Sequence, residues 1–145
     1  MYFPTKMYID GALKESSSTR EIINPATEKS VASISTAGLD DINEALQAAK
    51  AAFPNWAMMP IAERQSWMKK LRHEVVMAED WLRTCVHFEM GKPWAQTYED
   101  WDRVVASLDF YSEEIARFHD VGLADRAGTH IHRMVYEPAG VAVAF

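Results

Sequence analysis

Cysteine is nearly absent: the 145 residues contain one, so no internal disulfide can form. With no oxidised framework, a reducing compartment is the natural setting, and the chain is expected to be cytoplasmic. Basic residues are also in deficit. Fifteen Lys and Arg stand against 21 Asp and Glu, a net charge of -6, and the cations are scattered rather than gathered on one element. Nucleic acid is therefore excluded as an expected partner, because its phosphates demand a basic face. No apolar run approaches the ~20 residues of a membrane span, and Met1 to Lys6 contains no secretory apolar core. The six glycines never occur two residues apart, so the Gly-x-Gly turn that cradles a dinucleotide pyrophosphate is missing. What is present is ordinary for a folded soluble domain, with 48% hydrophobic and 25% charged residues.

Along the chain the hydrophobic period changes from that of strands to that of helices. Tyr8-Ile9 and Ala12-Leu13 flank Asp10-Gly11, a pair that tolerates positive φ, and predict a hairpin. Arg20 to Ile23 and Val31 to Ser35 predict a second pair of strands around the turn residues Asn24-Pro25-Ala26-Thr27. From residue 39, Leu39, Ile42, Leu46, Ala49 and Phe53 fall at helical spacing, and Pro54 is expected to end that helix. A second helix opens at Pro60 and aligns Ile61, Met68, Leu71 and Val75. A third, from about Glu79, carries Leu82, Cys85 and Val86 and stops at Gly91, with Pro93 blocking continuation. The fourth spans residues 95 to 119, roughly 37 Å at helical rise, with Trp101, Val104, Leu108, Tyr111, Ile115 and Phe118 on one stripe. After a loop containing Gly122 and Gly128, Thr129 to Glu137 alternates as a strand. Pro138-Ala139-Gly140 then leads into Val141 to Phe145, apolar throughout. Such a strand suits a parallel sheet covered on both faces, so more protein is expected after Phe145.

Several motifs in order give the chain a family likeness: Ile9-Asp10-Gly11, Ile23-Asn24-Pro25-Ala26-Thr27, Ala52-Phe53-Pro54-Asn55-Trp56, Pro60-Ile61-Ala62-Glu63-Arg64, Glu89-Met90-Gly91-Lys92-Pro93 and Glu137-Pro138-Ala139-Gly140-Val141. Together they resemble the N-terminal region of the aldehyde dehydrogenase superfamily, from about Tyr8 to Phe145. The resemblance implies an α/β parent fold, of which this segment is a mixed α+β part. It implies β-hairpins over 1–36, a helical layer over 37–120, an oligomerisation strand over 121–140, and the first strand of a Rossmann-like cofactor domain at 141–145. It further implies a cysteine nucleophile that forms a thioester with the aldehyde, hydride transfer to NAD or NADP, and hydrolysis to a carboxylate by a glutamate-activated water. Those residues belong to sequence after Phe145, so the segment itself is expected to have no catalytic or cofactor-binding residue. A homo-oligomer, dimer or tetramer, is implied as well. Two departures stand out: Glu28 occupies the place where the family usually has Gly after Thr27, and Ala12-Leu13 replaces a polar and Trp pair.

Cys85 lies on an apolar stripe, and its neighbours do not match the family's nucleophile motif, so it is read as a packing residue. His130 and His132 share a strand face but have no third ligand nearby, and are read as surface residues. Glu89 returns to the face of Leu82 in the last turn of its helix, where the dipole disfavours a carboxylate and an apolar face adds desolvation. Lys92 is one candidate partner. The resemblance implies another, a sodium or potassium ion held by Glu89 with the carbonyls of Ile22 and Ile23, since hard cations take oxygen ligands. A different class of function stays open: a shortened, non-catalytic module that pairs with full-length subunits through the strand at Thr129 to Glu137.

Overall fold

The computed structural model describes residues 4–144. Two antiparallel hairpins come first: β1 (Met7–Ile9) with β2 (Ala12–Lys14), and β3 (Thr19–Asn24) with β4 (Lys29–Ser35). Asp10 and Gly11 both take positive φ, 49° and 78°, the geometry that matches the twist of a two-residue hairpin. The hairpins are tied by Ser35 N donating to Thr5 O at 2.8 Å and Ser16 N to Ser35 Oγ at 3.2 Å.

Four helices follow: α1 (Leu39–Met58), α2 (Ile61–Met77), α3 (Glu79–Met90) and α4 (Trp94–Glu114). The Asp41 carboxylate accepts from Gly38 N at 2.9 Å and starts α1. Lys14 on β2 reaches both Asp41 and Glu44, fixing α1 over the first hairpin. Pro54 does not end α1, contrary to the sequence reading. The helix runs through it to Met58: a proline costs its own N–H bond and crowds the carbonyl four residues back, and here the turns on either side hold the helix across it. The stop is Pro60, which forces Met59 into extended geometry (φ -64°, ψ 132°). Pro60 precedes the first residue of α2, and Gly91 takes φ 64° at the end of α3.

Helix α4 is the centre of the helical layer. Gln65 Nε2 donates to Ser112 O at 2.8 Å and Trp101 Nε1 to Val75 O at 3.0 Å, stitching it to α2. Against α3, Arg83 donates to Glu79 at 2.7 Å and to Thr97 Oγ1 at 3.2 Å, with its guanidinium 4.5 Å from the Trp94 ring. Thr97 is fully buried, and its hydroxyl donates to Trp94 O at 2.7 Å. The covered seam of α4 runs through Thr97, Trp101, Val105, Leu108 and Ser112. It is therefore rotated from the stripe read in the sequence: Val104, Tyr111 and Phe118 stay exposed. The same happens on α2, where Leu71 is 54% exposed and Gln65 and Arg72 face α4 instead. The fourth helix is also shorter than 95–119, since Ile115–Arg117 tightens into a 3-10 turn closed by Phe118 N to Ile115 O.

The last pairing is β5 (Val121–Leu123) with β6 (His132–Met134), antiparallel. The expected strand over Thr129 to Glu137 is thus cut to three residues. At its start Asp125 accepts from Thr129 N at 2.6 Å and His130 N at 2.7 Å and takes those amides out of any ladder, and the partner strand is itself three residues long. Val121–Leu123, read as loop because of Gly122, is its partner. Residues 141–144 belong to no strand, and Phe145, the last residue of the strand expected over 141–145, lies outside the described residues.

Two turn positions yield tests. Glu28 sits at φ 57°, in the left-handed region that a side chain penalises by ~1–2 kcal/mol. Glu28→Gly is expected to raise the urea midpoint of the chain, by about 1 kcal/mol in stability after glycine's greater freedom when unfolded is deducted; an unchanged or lower midpoint would contradict the strain. At Gly91 a Cβ would lie 3.0 Å from Ala26 N and from Pro25 Cγ, whereas at Gly128, also left-handed at φ 67°, it would meet nothing within 4 Å. Gly91→Ala should lower thermal stability clearly more than Gly128→Ala, the difference reporting the contact of the α3 end with the β3–β4 turn. Equal losses would dissolve that contact.

Candidate functional site

The second hairpin and the helical layer meet where α3 ends. Asn24 is buried, and its side-chain oxygen accepts from Ala26 N at 2.8 Å while its carbonyl accepts from Glu28 N at 2.8 Å. This folds Asn24-Pro25-Ala26-Thr27 into a compact turn, against which Gly91 packs without room for a side chain. The close approach brings the end of α3 and the Ile22-Ile23 segment to the same corner, Glu89 lying two residues before Gly91 and Ile23 two before Pro25. The β3–β4 ladder slips between Ile22 and Ile23, since Ile22 pairs with Ala32 and Ile23 with Ser30. Such a bulge disturbs regular bonding and re-aims backbone groups locally.

Two parts of the reading of Glu89 are corrected. Its side chain is exposed rather than buried, although it stands on the rim of the apolar cavity face that carries Leu82 and Val86. Lys92 pairs with Asp100 at 2.6 Å and is thereby engaged elsewhere. His87 reinforces the corner: its Nδ1 lies 2.6 Å from Lys92 O, an acceptor, so the ring carries its proton on that nitrogen.

Between α2, α3 and α4 lies a cavity of 310 Å³ with mainly apolar walls, including Leu82, Val86, Trp101 and Val104, and with Glu89 and Asp100 also on its lining. Cys85 lines it as well and is only half-buried, less than a packing residue would be, because the cavity opens beside it. Burial first, and the Glu89 carboxylate second, push the Cys85 thiol up from its ordinary range. A nucleophilic cysteine needs the opposite. Cys85 thus stands on a cavity wall beside Glu89, with its thiolate disfavoured. A second hollow of 270 Å³ continues along α4 past Val104 to Leu108 and Tyr111. A wider open surface hollow, 640 Å³, runs over Lys69, Lys70 and His73 on α2.

His130 and His132 do share a face, with ring centroids 6.1 Å apart and nearly parallel. Among the described residues no group of three His, Cys, Asp or Glu side chains is placed to hold a metal ion. Asp125 is the feature that sequence reading missed. Backbone donation, from His130 first and then Ala127 and Thr129, holds its carboxyl below the usual carboxylate range. The signal available was an Asp three residues before a Gly in a polar stretch. No helix among the described residues is long and apolar enough to cross a membrane.

Comparison with known proteins places this corner in a context. Residues 13–145 match the model of the aldehyde dehydrogenase family. Aminoaldehyde dehydrogenase 2 of Solanum lycopersicum is 30% identical over 94% of the chain, which covers 28% of that protein. D-glyceraldehyde dehydrogenase (NADP(+)) of Thermoplasma acidophilum is 28% identical over 97% of the chain and 29% of its own length. Among solved structures, a betaine aldehyde dehydrogenase of Staphylococcus aureus, in complex with NAD+, superposes with a TM-score of 0.85 at 21% identity, over 94% of this chain and 29% of that one. The chain thus spans less than a third of the length of these relatives. The hairpins, the four helices and the turn seated on Gly91 are those of a part of a larger fold, and with a family match over nearly its whole length the chain belongs to the aldehyde dehydrogenase family.

Proposed function

We propose that these residues serve as the N-terminal segment of an NAD(P)-dependent aldehyde dehydrogenase that oxidises an aldehyde to a carboxylate through a cysteine thioester. Within that enzyme the segment supplies the N-terminal hairpins and a helical layer, with 121–140 as an oligomerisation element of a dimer or tetramer and 141–145 as the entry to the cofactor domain. The observation that carries this reading is uncovered surface. The chain exposes 11215 Å², against ~7,500 Å² expected of a self-sufficient globule of its mass. The surplus of roughly 3,700 Å² is the scale of an obligate interface. Part of it is the open flank of α4 at Val104 and Tyr111, and part is the exposed Ile131, Val135 and Val143.

The sequence contains no Gly-x-Gly turn, and the apolar cavity carries Arg83 beside the carboxylates of Glu89 and Asp100, the latter paired with Lys92. On this reading the segment's own residues orient and cover, and the oxidation runs on residues supplied by the rest of the enzyme. Purified residues 1–145 should show no aldehyde-dependent reduction of NAD or NADP, followed at 340 nm, and Cys85→Ser should leave that blank unchanged. Turnover abolished by Cys85→Ser would overturn both the segment reading and the structural role of Cys85.

Exposed apolar surface should also drive self-association of the isolated chain. Light scattering at rising concentration is expected to show species above the monomer mass, and deletion of residues 129–145 should reduce them. A monodisperse monomer unaffected by the deletion argues against this. The outer edge of β6, unpaired among the described residues, favours a second reading, an interaction module that joins full-length subunits by strand addition.

For the corner at Gly91, we propose that Glu89 and the carbonyls of Ile22 and Ile23 hold a sodium or potassium ion in the complete enzyme. Support comes from the bulge at Ile22/Ile23, the juxtaposition at Pro25 and Gly91, and the engagement of Lys92 by Asp100. The donors are all oxygens, which suits a hard cation. In the complete enzyme, Glu89→Gln should lower the melting temperature in potassium or sodium chloride by a few degrees and remove its dependence on those ions relative to choline chloride. If the parent's melting temperature is already the same in all three salts, the cation site does not exist.

A further inference from the structure

We draw no further inference here: the strongest candidate, the apolar trough along the outer flank of α4 from the cavity at Trp101 past Val104 to Tyr111, is an unpartnered face, and nothing in the structure shows what covers it.

Discussion

Helix α4 is apolar over a wider arc than its neighbours can cover, and the rest of the structure is arranged around that mismatch. α2 and α3 close on Thr97, Trp101, Val105, Leu108 and Ser112, leaving Val104 and Tyr111 beside the seam but outside it. Polar groups govern much of this packing. Thr97 and Ser112 are buried, Trp101 donates to a backbone carbonyl of α2, and Arg83 threads between Glu79, Thr97 and the Trp94 ring. Because each of these bonds is directional, they set the rotation of α4 about its axis. Apolar burial alone, which has no direction, would have centred the seam on the stripe of largest side chains. The open flank at Val104 and Tyr111 is the side of α4 that neither α2 nor α3 reaches.

That choice explains which parts of the fold were legible in the sequence. Turns were, because their chemistry is local: Asp10-Gly11 adopts positive φ, Asn24 folds back on Ala26, and Gly91 caps α3. The existence of four helices was legible too, from period and breakers. The face each helix buries was not, since it depends on partners distant in sequence; Gln65 and Ser112 meet across 47 residues. Pro54 misled for a related reason. A proline signals the loss of one bond, but whether a helix survives that loss depends on what holds the next turn. The strand at 129–137 was over-read because alternation describes side chains and says nothing of where the amides go. Two of them go to Asp125.

The candidate site divides along the same line. Sequence likeness pointed to Glu89 with Ile22 and Ile23, and the fold brings their segments to one corner through a contact, Gly91 on Pro25-Ala26, that allows no side chain. The local electrostatics were not legible. Lys92 is three residues from Glu89 and was the obvious partner, yet it lies beyond Gly91, and the left-handed residue reverses the chain so that Lys92 reaches forward to Asp100 on α4. Proximity in sequence across a helix cap is thus a poor guide to pairing.

Glu28 shows how a departure from the family pattern is absorbed. Its backbone takes the left-handed conformation at φ 57° despite its side chain. Two neighbouring features hold it there: Asn24 O accepts from both Thr27 N and Glu28 N, and Lys29 then pairs with Asn24 at the start of β4. Releasing Glu28 to an ordinary φ would break the turn on which Gly91 is seated, and with it the junction between hairpin and helical layer. A penalty of ~1–2 kcal/mol at one residue is smaller than the loss of that junction, so the turn keeps its shape and the strain stays local. The turn on which Gly91 is seated is therefore specified by backbone bonding around Asn24 rather than by the residue type at position 28.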